Sequence, residues 1–116
     1  MITREKLEEF RSSRREIAEI RAEVRKAEME ASGERAAYTI AMYQAIEAER
    51  ADELERIELE INSMQSADHR RVLRMRYIDG MGIKAIARRM HYSERQTKRI
   101  LTRAIQMIEE SEEKDG

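Results

Sequence analysis

Residues Ile83–Ile100, IKAIARRMHYSERQTKRI, predict a short helix, a tight turn and a second helix. The first helix covers about 83–90, and four apolar residues are spaced to form one buried face of it: Ile83, Ile86, Ala87 and Met90. Ala87 matters because it is small. Two helices that cross closely leave no room for a larger side chain at this position.

Residues 91–96 predict a turn and then the start of the second helix, which covers about 94–110. His91 lies where the chain often has a positive φ, a region that His tolerates better than most residues. Tyr92 follows as an apolar packing residue. Ser93 is then a predicted N-cap, and Gln96 three residues later completes a capping box. This pattern predicts a helix-turn-helix.

The second helix has an apolar and a cationic side. Its predicted inward residues are Thr97, Ile100, Leu101, Ala104, Met107 and Ile108. Its predicted outward residues begin with Glu94, Arg95, Lys98 and Arg99 and continue with Thr102 and Arg103. A helix that enters the major groove needs this arrangement, because Arg or Lys can donate to guanine and Gln can pair with adenine. The pattern therefore favours binding to double-stranded DNA.

The charge distribution supports this interpretation. The whole chain has a net charge of −1 and 41% charged residues. Residues 67–108, however, contain 11 Lys and Arg against three Asp and Glu, a net charge of +8. The acidic segments 1–66 and 109–116 conceal it, with net charges of −5 and −4. A basic segment of this kind is an electrostatic footprint for nucleic acid. The alternative is that these charged residues form a solvated helix face with no binding role.

Two long helices are predicted before the basic segment, over 3–31 and 34–65, with Thr3 as an N-cap. They are separated by a break at Ser32-Gly33 in which Ser32 caps the second helix. The alternative is one helix that runs through the break, since a single Gly costs only about 1 kcal/mol. The first has a heptad stripe of Phe10, Ser13, Ile17, Ile20, Val24, Ala27 and Ala31. The second has an apolar stripe of Ala37, Ile40, Ala41, Tyr43, Ile46, Leu54, Ile57, Ile61 and Met64, interrupted by Glu47 and Arg50. The helices can pair as a hairpin within one chain or between two chains as a homodimer.

A third helix is predicted over about 67–78, with Ser66 as its cap and with Val72, Leu73, Tyr77 and either Met75 or the stem of Arg76 buried. Gly80 is its predicted left-handed terminator. The fold class is therefore all-α, a long helical hairpin or coiled coil followed by a three-helix helix-turn-helix. The predicted divisions are 1–66 for oligomerisation, 67–110 for DNA binding and 111–116 for an acidic tail.

Residues 72–108 resemble region 4 of bacterial sigma factors. The matching residues are Leu73, Arg76, Tyr77, Gly80, Ile86, Ala87, Tyr92, Ser93, Ile100 and Ala104. Two positions depart from that pattern, since His91 replaces a small turn residue and Thr97 replaces an aliphatic one. In outline the whole chain also resembles small phage and prophage transcriptional regulators of the ArpU/RinA type.

This resemblance implies a DNA-binding regulator of phage or prophage genes. It assigns base-facing roles to Arg95, Lys98 and Arg99, with Glu94 and Gln96 close by. We expect the phosphate contacts to come from basic residues around the motif and from the cap residue: Lys84, Arg88, Arg89, Arg103, Arg70, Arg71, Arg74 and Ser93. RNA polymerase is a further expected partner.

Two other functions fit the same pattern. One is a DNA-packaging protein of the small-terminase kind, and the other is a helical adaptor that binds RNA polymerase through the acidic hairpin. We expect no metal or cofactor, because the chain has no Cys and because His69 and His91 lack acidic residues at ligand spacing. We also expect no enzyme activity, because Ser93 has no base partner at a recognisable spacing and the sequence has no phosphate-binding loop. No apolar run reaches the roughly 20 residues needed to span a membrane. The expected location is the cytoplasm of a bacterial host.

Overall fold

The computed structural model describes residues 2–30 and 33–115, with the backbone alone for residues 15, 30 and 112–115. Five α-helices follow one another, and the described residues contain no β-strand. The helices are α1 Arg4–Glu30, α2 Glu34–Asn62, α3 Ala67–Leu73, α4 Ile83–Met90 and α5 Glu94–Asp115, and a π-helical turn, Arg74–Ile78, continues α3. The predicted all-α fold is confirmed.

The predicted helix starts are confirmed where the structure describes them. The backbone N–H of Lys6 donates to the Thr3 hydroxyl at 3.2 Å, and that of His69 donates to the Ser66 hydroxyl at 3.3 Å. Each cap satisfies an N–H group that has no partner inside its helix. Gly33 has a φ of 111°, which fits the predicted break. The predicted cap at Ser32 lies outside the described residues, as does Ala31.

The chain divides into two compact units, and the smaller one is Ser12–Glu55. Within it α1 and α2 lie antiparallel, as two ion pairs show. Arg21 pairs with Glu47 at 2.5 Å, and the earlier residue Glu16 lies 3.9 Å from the later residue Arg50. The predicted α1 stripe is the less exposed side of the helix: Ile17, Ile20, Val24 and Ala27 are half-buried. This unit is a helical hairpin formed within one chain.

The α2 stripe in this unit follows the prediction in part. The predicted Ile40, Tyr43 and Ile46 are half-buried, whereas the predicted Ala37 and Ala41 are exposed and Ala36 is buried instead. The charged interruption occurs where the sequence placed it, and Arg50 also bonds Glu53 at 3.3 Å. The prediction of buried Ala37 and Ala41 is wrong because the less exposed face runs through Ala36, Ile40 and Tyr43, at the spacing i, i+4 and i+7.

The larger unit combines Met1–Arg11 with Arg56–Gly116. Its core includes apolar side chains from the start of the chain and of α1 and from the end of α2, namely Ile2, Leu7, Phe10, Ile57 and Ile61. They are buried in the same unit as Val72, Leu73, Met75, Tyr77, Ile86, Ala87 and Met90. The backbone N–H of Arg4 also donates to Glu109 at 2.8 Å. The helix-turn-helix therefore shares its core with residues from the long helices.

The third helix ends as the sequence predicts. Gly80 has a φ of 74°, and the N–H of Met81 donates at 2.8 Å to the Met75 carbonyl, six positions earlier and one position farther than in a Schellman motif. The final turn differs from the prediction of a single regular helix, because the N–H of Asp79 bonds the Arg74 carbonyl five residues back. This end directs the chain into α4.

Candidate DNA-binding surface

The turn between α4 and α5 has the left-handed conformation that the sequence predicts. His91 has φ 60° and ψ 37°. Its conformation allows the N–H of Tyr92 to donate to the Ala87 carbonyl at 3.0 Å. Ala87 itself is 4% exposed, as expected for a small residue where two helices cross. The turn is therefore closed by backbone hydrogen bonds that fix where α5 begins.

The first turn of α5 is held by Ser93. Its hydroxyl accepts a hydrogen bond of 3.0 Å from the N–H of Gln96, which confirms the predicted cap. Thr97 is fully buried, and its hydroxyl donates to the Ser93 carbonyl at 2.8 Å. This bond satisfies the buried polar group, which explains how Thr occupies a position where an aliphatic residue is usual.

The inward face of α5 agrees with the prediction except at one turn. Leu101, Ala104 and Ile108 are buried. Met107 is 38% exposed and Ile105 is 3% exposed, so the predicted burial of Met107 is wrong and Ile105 was missed. The exposure of Met107 and the burial of Ile105 follow from helix geometry. Leu101, Ala104, Ile105 and Ile108 share one face, with the spacing i, i+3, i+4 and i+7.

The predicted base-facing residues lie together on the exposed side of α5. The side chains of Glu94, Arg95, Gln96, Lys98 and Arg99 are all exposed. Arg95, Arg99 and Arg103 recur every four residues and form a ridge along the helix. A shallow depression on one side of this ridge includes Ser93 and Gln96, and one on the other side includes Lys98 and Thr102. Thr102 was predicted to face outward, whereas Gln106, which also lines the depression with Lys98 and Thr102, had no predicted role.

The predicted phosphate-binding residues fall into two groups. Lys84, Arg88 and Arg89 of α4, Arg71 of α3 and Arg103 of α5 are exposed. Arg70 and Arg74 are half-buried and have partners within the chain. Arg70 donates to the carbonyls of Met64 and Gln65 at 2.5 and 3.0 Å, and Arg74 donates to Asn62 at 3.3 Å. These two guanidinium groups therefore stabilise the junction between α2 and α3.

A hydrogen bond from Tyr92 orients the turn against α3. The Tyr92 hydroxyl donates to Oδ2 of Asp68 at 2.8 Å. The hydrogen bond to Asp68 and the negative charge of that carboxylate raise the pKa of the Tyr92 hydroxyl above its ordinary value. Tyr92 is thus a positioning residue as well as a packing residue. Local sequence patterns do not predict this bond, because Asp68 lies 24 positions earlier in the chain.

His69, for which the sequence predicts no role, also lies on this side of the protein. His69 lines the depression that also contains Ser93, Arg95, Gln96, Arg99, Ile100 and Arg103. Its place beside α5 depends on how α3 packs, which periodicity alone does not predict. Among the residues that the structure describes, no group of three or more His, Cys, Asp or Glu could hold a metal ion.

Comparison with known proteins identifies the helix-turn-helix. Residues 66–109 match the family model for sigma-70, region 4. Neither the comparison with curated proteins nor that with solved structures gives a match. The segment is a sigma region 4-like, DNA-binding helix-turn-helix. Over the described part of the chain, no helix is both long and apolar enough to cross a membrane.

Proposed function

We propose that this chain, with its sigma region 4-like helix-turn-helix, is a sequence-specific transcriptional regulator of phage or prophage genes. The observation that carries the proposal is the exposed start of α5. Arg95, Lys98 and Arg99 lie within its first two turns, and the Ser93 cap holds that end of the helix in place. A rigid helix with exposed cations at its N-terminal end is suited to the major groove.

The exposed cations divide into two roles under this proposal. Arg95, Lys98 and Arg99 read base edges, with Glu94 and Gln96 beside them. The phosphate contacts come from Lys84, Arg88, Arg89, Arg71 and Arg103, with Ser93 at the helix end. Arg70 and Arg74 make a smaller contribution, because their guanidinium groups already bond chain atoms.

A homodimer is the second part of the proposal. In the hairpin unit Met29, Tyr38 and Met42 are 86%, 71% and 43% exposed. Large apolar side chains on a helical hairpin favour pairing with another copy. Sedimentation equilibrium would test the dimer, and a mass of one chain at all concentrations would contradict it.

We also propose that the region 4-like unit contacts RNA polymerase and that the protein acts in the cytoplasm of a bacterial host.

Selection from a random duplex library tests the central proposal. The full chain is mixed with the library at physiological salt, and the bound duplexes are amplified and selected again. We expect one motif to be enriched and then to bind in a gel shift that survives excess random duplex. Binding that random duplex competes away in equal measure would contradict sequence-specific recognition.

A further inference from the structure

His69 has a position that the helix-turn-helix alone does not explain. It is the residue that α3 contributes to the depression beside the Arg95–Arg99–Arg103 ridge. The rest of that lining comes from α5 and its cap. His69 therefore faces the cationic side of α5 across a shallow depression open to solvent.

The charges around His69 change sign from one side of it to the other. On the α5 side are the guanidinium groups of Arg95, Arg99 and Arg103. On its opposite side His69 lines a different depression, which also contains the carboxyl groups of Glu60 and Glu110. His69 thus lies at the edge where the positive surface ends. Its neighbours in the chain, Asp68 and Arg70, are engaged with Tyr92 and with the carbonyls of residues 64 and 65.

We propose that His69 is a phosphate contact, whose imidazole donates to the DNA backbone that passes beside Arg103 while Arg95 and Arg99 reach the base edges. This inference rests on the proposed function and adds to it a second contact from α3, beside that of Arg71. A polyanionic backbone has the charge that complements the three-arginine side of the depression. The side chain comes from the first turn of α3, beside the helix that reads the bases, so it suits the backbone better than a base edge.

The contact has a property that an arginine contact lacks. Histidine ordinarily changes its charge between about pH 5 and 8, so an imidazole beside phosphate gains a second donor and a positive charge as the pH falls. Binding of the phosphate in turn favours the charged form. DNA affinity should therefore rise as the pH is lowered from about 8 to about 6, by roughly two- to fivefold for one partly exposed ion pair.

The test compares the full chain with His69→Gln and His69→Lys by fluorescence anisotropy on the selected duplex, at about pH 6 and about pH 8. We expect the wild type to bind more tightly at the lower pH and to show a steeper salt dependence there, by up to about one unit of slope. His69→Gln should bind with one affinity at both values. At both pH values, His69→Lys should bind with the affinity that the wild type shows at the lower pH.

The second histidine provides the matched control. His91→Asn keeps a residue that tolerates positive φ, and it should retain the full pH effect. Loss of the pH effect in His91→Asn, or its persistence in His69→Gln, would overturn the inference. If the wild type binds no duplex specifically at either pH, the proposed function fails. Specific binding without any pH effect leaves that function intact and refutes only the role of His69.

Discussion

The hydroxyl of Tyr77 donates a hydrogen bond of 2.9 Å to Oε1 of Glu8, a residue 69 positions earlier in the chain. Tyr77 is fully buried, and it lies in the turn that ends the third helix. The bond therefore ties the start of α1 to the element that precedes the helix-turn-helix. It indicates that the DNA-binding unit needs the N-terminal residues for its stability.

Removing this hydroxyl tests that dependence. Tyr77→Phe keeps the buried ring but loses the hydrogen bond, so we expect the free energy of unfolding to fall by about 1 kcal/mol. Urea denaturation of the full chain measures this change. Tyr38→Phe is the matched control, because Tyr38 is 71% exposed and its substitution should leave stability unchanged. Equal effects of the two substitutions would contradict the role of the bond.

Alkaline pH should reveal the same interaction. Burial and then the hydrogen bond to Glu8 raise the pKa of the Tyr77 hydroxyl well above its ordinary value. A group whose pKa is raised on folding contributes stability below its unfolded pKa, and this contribution is lost as the pH rises toward the folded pKa. The stability difference between wild type and Tyr77→Phe should therefore shrink above about pH 10, by at most about 1.4 kcal/mol per pH unit.

Denaturation curves of both proteins from about pH 8 to about pH 11 measure that difference. The comparison with Tyr77→Phe removes the contributions of other groups that titrate in the same range. A difference that stays constant, or that grows with pH, would contradict the raised pKa of Tyr77.

The left-handed turn makes a separate prediction. His91 has a φ of 60°, a region that costs residues with a side chain about 1–2 kcal/mol. His91→Gly should therefore retain or raise stability, by up to about 1 kcal/mol. His91→Val should lower stability by more than about 1 kcal/mol, because a β-branched side chain fits this region poorly. Thermal unfolding of both variants distinguishes them, and the reverse order would be incompatible with the turn.

Thr97 allows a test of the buried hydroxyl. The Ser93 carbonyl also accepts the N–H of Thr97 at 2.9 Å, so it keeps a partner when the hydroxyl is removed. Thr97→Val should then be neutral or stabilising by up to about 1 kcal/mol. Thr97→Ser, which keeps the hydroxyl and loses a buried methyl group, should lower stability by about 0.8 kcal/mol. A marked loss in Thr97→Val would show that the hydroxyl itself is required.

Much of this fold could be predicted because its signals are local. The caps at Thr3, Ser66 and Ser93 and the left-handed residues His91 and Gly80 depend on neighbours within a few positions. The continuation of α5 to Asp115 was missed because an acidic composition suggested a separate tail. No Gly or Pro interrupts residues 94–115, and the helix therefore continues through them.

The features that sequence reasoning missed depend on residues far apart in the chain. Tyr92 meets Asp68, and Tyr77 meets Glu8, only after the helices pack. The same holds for His69 beside the α5 ridge. For Arg70 and Arg74, a basic run in the sequence suggested phosphate contacts. In the structure these two side chains instead donate to groups within the chain. Charge patterns therefore locate a DNA-binding surface but do not assign the role of each cation.

The most direct measurement of the central claim compares specific and random duplexes for three variants. Lys98→Ala and Arg95→Ala remove cations from the exposed start of α5, whereas Arg89→Ala removes one from the last turn of α4. Dissociation constants are measured by anisotropy on the selected duplex and on a random duplex. We expect the two α5 substitutions to weaken specific binding by about 1–3 kcal/mol and to leave random binding nearly unchanged. Arg89→Ala should weaken both by the same factor, and equal losses on both duplexes for all three variants would contradict base reading by α5.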